Sequence, residues 1–545
     1  MALSSFILHL ALLVASFPSF GAAIGSTVRL DAGTFVGTPL GNMTRFLGVP
    51  YALPPTGNLR FRLPVPNLPY RGTHNATQFA LACPQQSYSP TIPNAELGEI
   101  LSQLPGGGTA PSGEDCLYVN VWSPANATSY SKLPVLFWIH GGGWEVGETS
   151  LFDGSYIVQK SLDIGTPVVF VSTAYRLNSF GFLASKEVKR AGVGNLGMQD
   201  QRQALRWVQK YIHAFGGDPK KVTLWGESAG GVSIGNHMIT NNGNTEGLFR
   251  AGIMHSGSPQ PMGDITNGQP MYDYIVDKTG CTGARDTLQC LREVPFESLS
   301  AATNSTPSLF NYSSLNLVWQ PRTDGVFLKE NPQTLIAKGV AAKLPFINGD
   351  CDDEGTLFSL SSTNLTTDQE THDYIHSNYY SKASSSEITQ LMQYYPPNPV
   401  VGSPFDTGDN NTLTPQYKRI SALTGDIIFE APRRFFLDYL SSTQPAWAFQ
   451  YKRFKSTPYL GTYHLSDLYD IFGPPGDDFK ELIVRFAVHL DPNGGTNATT
   501  WPKWTKDSPN LLTLLDGAAP ISITQDTYRS DGIDYLKNLS RKYPF

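Results

Sequence analysis

The stretch that most constrains this chain is Val222 to Asn236, V-T-L-W-G-E-S-A-G-G-V-S-I-G-N. Val222 to Trp225 is a short apolar run with the length and residue types of a buried strand. It meets Gly226-Glu227-Ser228-Ala229-Gly230, after which small and apolar residues continue without a breaker until His237. The pattern predicts strand, sharp turn, helix. Gly226 and Gly230 remove the side chains that would collide in so tight a bend, and Ser228 at its apex is held out of both elements. The amide of Ala229 would then lie in the first helical turn, unpaired and at the positive end of the helix dipole, where a developing oxyanion is stabilised. Ser228 is therefore the candidate nucleophile. The pentapeptide G-x-S-x-G alone also occurs in ordinary loops; the strand before it and the helix after it give it weight.

A second stretch has the same build. Pro134 to Ile139 (P-V-L-F-W-I) reads as a buried strand running into His140-Gly141-Gly142-Gly143-Trp144. Glycines after a strand let the backbone approach a ligand and leave amides unpaired, though the same residues also suit a flexible loop. Taken with the first turn, Gly142 and Gly143 would offer amides to the same oxyanion as Ala229. Val168 to Ala174 is a third strand. Leu205, Val208, Tyr211, Ile212 and Phe215 recur at helical spacing, and Gly216-Gly217-Asp218-Pro219 is expected to stop that helix. Alternating strands and helices imply a mostly parallel sheet with helices on both faces, and in such sheets ligands bind beyond the carboxyl ends of the strands.

A serine hydroxyl needs a histidine to take its proton and a carboxylate to orient that histidine, here in the chain order Ser, acid, His. The strand signal Leu344 to Gly349 is followed by Asp350-Cys351-Asp352-Asp353-Glu354-Gly355. A calcium loop is the rival reading, but acids at alternate positions over a twelve-residue loop are not present. Glu354 is the favoured acid among its neighbours. Four histidines follow. His372 and His376 are spaced i, i+4 without the glutamate or third ligand of a zinc site and read as a solvated helix face. His489 reads as core. His464 follows the strand Ala446 to Phe454 and the turn Gly461-Thr462-Tyr463, at the strand's carboxyl end, and is the best base.

Composition narrows the partners. With 545 residues, 40% hydrophobic and 16% charged, the chain has the makings of a sizeable core, and a net charge of −6 without a long basic cluster lacks the footprint of a nucleic-acid binder. Met1 to about Ala23 reads as a secretory signal, with an apolar run from Phe6 to Phe17, too short to cross a bilayer, followed by small residues. No other apolar run is long enough to be a transmembrane segment. The ending Arg541-Lys542-Tyr543-Pro544-Phe545 is neither a retention tetrapeptide nor a lipid-anchor tail. Nine sequons, at Asn42, Asn75, Asn126, Asn304, Asn311, Asn364, Asn410, Asn497 and Asn538, fit the secretory route as glycosylation candidates. In that compartment near neighbours among the five cysteines pair as Cys83 with Cys116 and Cys281 with Cys290, leaving Cys351 as a buried free thiol. Inside the first loop, Leu97, Ile100, Leu101 and Leu104 share one helical face, with Asn94 as cap and the Pro105 to Gly108 run as stop. A tethered amphipathic helix between glycines has the parts of a lid; a surface helix fixed on the core is the alternative.

These motifs together resemble the type-B carboxylesterase and lipase family of the α/β-hydrolase fold. F-L-G-V-P-Y-A-L-P-P at Phe46, E-D-C-L-Y-V-N-V-W at Glu114, H-G-G-G-W at His140, F-G-G-D-P-K-K-V-T-L-W-G-E-S-A-G at Phe215, D-E-G at Asp353 and G-T-Y-H-L-S-D at Gly461 occur in the family's order over nearly the whole mature chain. The resemblance implies Ser228 as nucleophile, Glu354 as acid, His464 as base, an oxyanion hole from Gly142, Gly143 and Ala229, and disulfides Cys83–Cys116 and Cys281–Cys290. It is nearest to the secreted fungal lipases and sterol esterases, in which the first disulfide loop (83–116) carries the lid. Cholinesterases place a cation-binding tryptophan in that loop, whereas here it holds Tyr88 and no tryptophan. His255 stands where the family often has glutamine.

The expectation is a signal peptide over 1–23 and a single α/β-hydrolase catalytic domain with long insertions over 24–545. The chain would be a secreted serine ester hydrolase that needs no metal or organic cofactor. Its substrate would be a small ester, lipid-like and at a lipid–water interface, or alternatively a soluble or aryl ester such as a feruloyl ester. A non-catalytic adhesion module is a remote alternative, and a peptidase would be expected to carry a propeller, of which no blade repeat is seen.

Overall fold

Strand β7 shows how the core is built. It spans Leu133–Ile139, and its side chains alternate between two apolar clusters: Val135, Phe137 and Ile139 enter one, Leu136 and Trp138 the other. A strand buried on both faces reads as a continuous apolar run, which is what P-V-L-F-W-I is. β9 (Gly217–Glu227) behaves alike, with Val222 and Leu224 on the first side and Trp225 on the second.

The computed structural model describes residues 25–88, 90–102, 110–474, 476–495 and 499–545; the expected signal segment lies outside them. The remaining strands are β1 (Thr27–Leu30), β2 (Ala32–Val36), β3 (Thr38–Leu40), β4 (Met43–Pro50), β5 (Arg71–Asn75), β6 (Tyr118–Pro124), β8 (Val169–Thr173), β10 (Ala251–His255), β11 (Phe346–Cys351), β12 (Ala446–Lys452), β13 (Asn510–Leu515) and β14 (Ile521–Gln525). Eleven of the fourteen strands form one sheet in the order β14-β13-β12-β11-β10-β9-β7-β8-β6-β4-β3, and β1-β2-β5 form a small second sheet. From β8 to β13 the neighbours run parallel, while the outer pairs on both sides are antiparallel.

Helices cover both faces. Leu196–Tyr211, Ala229–Gly243 and Ala431–Leu440 bury their apolar stripes in the first cluster, and Ser155–Asp163 and Asp477–His489 in the second. The helix Leu196–Tyr211 ends in a short 3-10 turn closed by Gly216 at φ 83°, but Gly217-Asp218-Pro219 is not part of the stop. Gly217 already pairs with Leu133, so these residues open β9. His489 is also corrected: it is exposed at the last turn of its helix rather than in the core. It lies four residues after Arg485, itself four after Glu481, on the polar face of that helix, although the run around it is apolar.

Within the first disulfide loop the helix runs Ala95–Ser102, and Asn94 Oδ1 accepts the Leu97 amide at 2.9 Å. Leu97 is buried among Leu357, Leu360, Tyr417, Leu460 and Tyr463, with Ile100 and Leu101 beside it. The expected contact of Leu104 and the stop at 105–108 fall outside the described residues. Cys83 is bonded to Cys116 and Cys281 to Cys290, and Cys351 is free and buried.

Candidate active site

Four parallel strands deliver their carboxyl ends to one edge of the sheet. β7 exits into the glycine run at His140, β9 into Ser228, β11 into the loop bearing Glu354, and β12 into the segment bearing His464. Residues 236 positions apart meet there: His464 Nε2 lies 2.9 Å from Ser228 Oγ. The other ring nitrogen, Nδ1, lies 2.5 Å from Glu354 Oε2, and Glu354 Oε1 accepts the Cys351 amide at 2.7 Å. A carboxylate held on one oxygen by its own loop and on the other by the imidazole fixes which ring nitrogen faces the serine.

The turn at Ser228 is as tight as its glycines imply. Ser228 sits at φ 55°, ψ −125°, and its amide donates to His255 O at 2.9 Å. A Cβ on Gly230 would stand 2.0 Å from Ile139 O, so the helix after the serine is pressed onto the end of β7. On the β7 side Gly142 takes φ 97° and Gly143 φ 61°. The Gly142 carbonyl folds back to accept the Glu145 and Val146 amides at 3.0 Å each. Gly142, Gly143 and Ala229 line the same cavity as Ser228 and His464. Ala229 opens its helix, so its amide is one of those left without an intrahelical acceptor.

That cavity holds about 320 Å³ and its walls are largely apolar, including Leu309, Phe310, Leu315, Leu317, Phe358 and Phe429. Tyr88, Leu101 and Ser102 of the first disulfide loop also reach it. Phe358 and Phe429 pack on the His464 ring, with centroids 5.1 and 4.7 Å away. Phe429 belongs to a single π-helical turn, Asp426–Glu430, a rare element that is common at functional sites. On its other side the turn is anchored by buried ion pairs, Asp426 with Arg529 and Glu430 with Arg433.

Burial holds the His464 imidazole down, to about 3, with the nearby Asp467 carboxylate acting in the opposite sense. The uncharged ring is thus favoured at rest, as a base requires. Burial pushes the Glu354 carboxyl up, opposed by hydrogen bonds from Ser256 and the Cys351 amide. With Nδ1 turned to the Glu354 carboxylate, Nε2 is left to face Ser228 as the proton acceptor. Glu227, the residue before the nucleophile, has a carboxylate oxygen 3.2 Å from His464 Nε2. Burial first, and then Asp467 and Glu354, push its carboxyl well above the usual range.

The other carboxylates of the Glu354 loop each have their own partner. Asp350 pairs with Arg433, Asp352 with Lys452 and Lys455, and Asp353 with Lys455. His372 and His376 stay on the helix Asp368–Asn378, away from the serine, and each hydrogen-bonds a backbone carbonyl, of Ser385 and Ala383. The asparagines of eight sequons are exposed, and Asn497 lies outside the described residues. Reading the sequence missed Glu227, although it fills the x of G-x-S. It also missed Phe358 and Phe429, for which no local pattern exists.

The comparisons with known proteins agree in kind. The sequence model described as the carboxylesterase family matches residues 25–530. The chain is 41% identical over 535 residues to Secreted lipase 1 of Botryotinia fuckeliana, covering 94% of this chain and 93% of that one. It is 38% identical over 529 residues to the Secreted triacylglycerol lipase LIP1 of Gibberella zeae, covering 94% and 90%. Among solved structures, EstA of Aspergillus niger superposes with a TM-score of 0.82 at 26% identity, covering 96% of this chain and 99% of that one.

Proposed function

The chain belongs to the carboxylesterase family, has the α/β-hydrolase fold and is a carboxylic-ester hydrolase, and from that premise we propose that it cleaves lipid-like esters through an acyl-enzyme on Ser228. The observation that carries this reading is the hydrogen-bonded series Glu354, His464, Ser228 opening into an apolar cavity. Ser228 Oγ attacks the ester carbonyl while His464 Nε2 takes its proton, and Glu354 stabilises the imidazolium that forms. The amides of Gly142, Gly143 and Ala229 hold the oxyanion. His464 then gives its proton to the departing alcohol, and water releases the acid by the same steps in reverse.

A largely apolar cavity suits a long acyl chain or a glyceride, sterol or carotenoid ester better than a small polar one. The names of the relatives, secreted lipases among them, support the same class and an extracellular location. Among the described residues no helix is long and apolar enough to cross a membrane. In this reading residues 1–23 are a signal peptide, 24–545 are one catalytic domain, and the helix Ala95–Ser102 is the lid. Leu101 and Ser102 line the cavity, which supports that reading, since departure of the helix would widen the entrance.

The test is the hydrolysis rate against triglyceride concentration taken through the solubility limit. A jump at the limit is the expected result, whereas smooth saturation below it would favour the soluble or aryl ester reading. S228A and H464A should each lose on the order of 10⁴ to 10⁶ in kcat. A fluorophosphonate that labelled nothing would return the chain to the adhesion class.

A further inference from the structure

The helix that begins at Ala229 carries a serine in its second turn, Ser233, which is wholly buried. A hydroxyl taken out of water needs hydrogen-bond partners, and inside a helix a serine finds the first of them on its own backbone. Ser233 Oγ donates to Ala229 O at 2.7 Å, which leaves its oxygen lone pairs to accept. What it accepts comes from other parts of the chain. Trp144 Nε1 donates to it at 3.2 Å across a separation of 89 positions, and Gln201 Nε2 lies 3.4 Å away.

Trp144 directly follows Gly143 and lacks a glycine's freedom, yet its φ is 57°. A tryptophan persists in the left-handed region only where its surroundings hold it there. Two bonds do so: its carbonyl accepts the Asn178 amide at 2.6 Å, and its indole N–H is met by Ser233. Asn178 is fixed in turn, its Nδ2 donating to Pro84 O at 2.7 Å. Trp144 is 2% exposed, with the Phe182 ring centroid 6.1 Å from its own. The Ser233 hydroxyl thus bonds Ala229, one of the three residues whose amides are read as oxyanion donors, and Trp144, the neighbour of the other two.

We propose that Ser233 is a positioning residue for the oxyanion hole: through Trp144 its hydroxyl fixes Gly142 and Gly143 at the separation from Ala229 that a tetrahedral intermediate requires. It touches neither substrate nor the reacting atoms. Oxyanion donors act because they are set in advance at about 2.7–3.1 Å from where the charge develops, so loosening their spacing lowers kcat and leaves binding of the ester nearly unchanged. The inference rests on the nucleophile and the oxyanion hole proposed above.

The experiment compares S233A, S233T, W144F and S233A/W144F with the unaltered chain. It follows melting temperature, KM and kcat per site titrated by fluorophosphonate for a soluble p-nitrophenyl ester, and the inhibition constant of an alkyl trifluoromethyl ketone, which forms a tetrahedral oxyanion on a serine. Outright removal of an oxyanion donor costs roughly 10² to 10³ in kcat, so a loosened set should cost less: S233A is expected to lower kcat about tenfold, keep KM within about twofold and weaken the ketone about tenfold. S233T, whose Oγ1 also reaches the carbonyl four residues back, should restore most of the loss. W144F removes the donor and should lose about as much kcat as S233A, and the double variant no more than either. A lower melting temperature in S233A with kcat and ketone affinity unmoved would overturn the proposal. Multiplying losses in the double variant would overturn it as well, a comparison that stands should S233T fail to fold. Failure of the unaltered chain to be labelled or to bind the ketone would instead overturn the nucleophile and oxyanion hole themselves, so the two failures are distinguishable.

Discussion

Replacing Gly230 by alanine tests whether the serine turn and the glycine run are one mechanical unit. The new Cβ would lie 2.0 Å from Ile139 O, 2.9 Å from Ile139 C and 3.1 Å from His140 O, all backbone atoms. Contacts below 3.0 Å are essentially never seen for a real Cβ, so the helix that follows Ser228 must retreat from the end of β7 by about 1 Å. It cannot do so freely, because Ile139 and Gly226 are paired in the parallel ladder. The retreat therefore separates Ser228 and the Ala229 amide from Gly142 and Gly143. A misplacement of ~1 Å at a reacting centre costs roughly 10² in rate, and that is the loss of kcat expected for G230A. The assay is kcat and KM on a soluble p-nitrophenyl ester, normalised to the fraction titrated by fluorophosphonate. G235A is the control: its Cβ would stand 2.5 Å from the Pro259 ring, on the same helix but against a different neighbour. It should lose about 1–3 kcal/mol of stability by overpacking and little kcat. A folded G230A with kcat within about threefold of the unaltered chain, or a G235A equally slow, would refute the coupling.

Two further outcomes follow from the covalent and ionic ties. The Cys83–Cys116 bond closes a separation of 33 residues and Cys281–Cys290 one of 9, so chain entropy assigns them about 3.7 and about 2.6 kcal/mol. Denaturant unfolding of the C83S/C116S and C281S/C290S chains should preserve that order, and the reverse order would contradict it. Asp526 is buried between Arg433 and Arg434, which hold its carboxyl down at about 2 against an ordinary 3.8. A depressed carboxyl contributes stability above its unfolded value that is lost as pH falls toward its folded one, here between about 4 and 2. Melting temperature should therefore fall more steeply across that window in the unaltered chain than in D526N, which is less stable at neutral pH. Parallel slopes would count against the ion pairs as the source of acid sensitivity.

What could be read from the sequence shares one property: it is local. β7, β9 and the turn at Ser228 follow from runs of apolar residues meeting glycine, and the amide cap at Asn94 follows from a polar residue set before a helical stripe. Glu354 and His464 could be singled out because each follows a strand whose carboxyl end points to the same edge. Boundaries were less legible. Asp218-Pro219 looked like a turn; they lie within β9 in the irregular stretch between the Leu133–Gly217 and Val135–Val222 pairs, where the Lys220 amide donates to Asp218 Oδ1. His489 lies in an apolar run and is exposed, because it continues the polar face of Glu481 and Arg485 at i, i+4.

The sequence by itself determined which residues can form strands, tight turns and a nucleophile, since those depend on sterics and periodicity over a few neighbours. Only the tertiary structure decided what surrounds the histidine: Phe358, Phe429, Glu227 and, across a separation of 212 positions, the meeting of His255 with Asp467. The reason is the strand order. Threading β10 between β9 and β11 brings His255 against Asp467 on the loop that bears His464, and the free energy of that meeting depends on a buried, low-dielectric space that exists only once the sheet has closed around it.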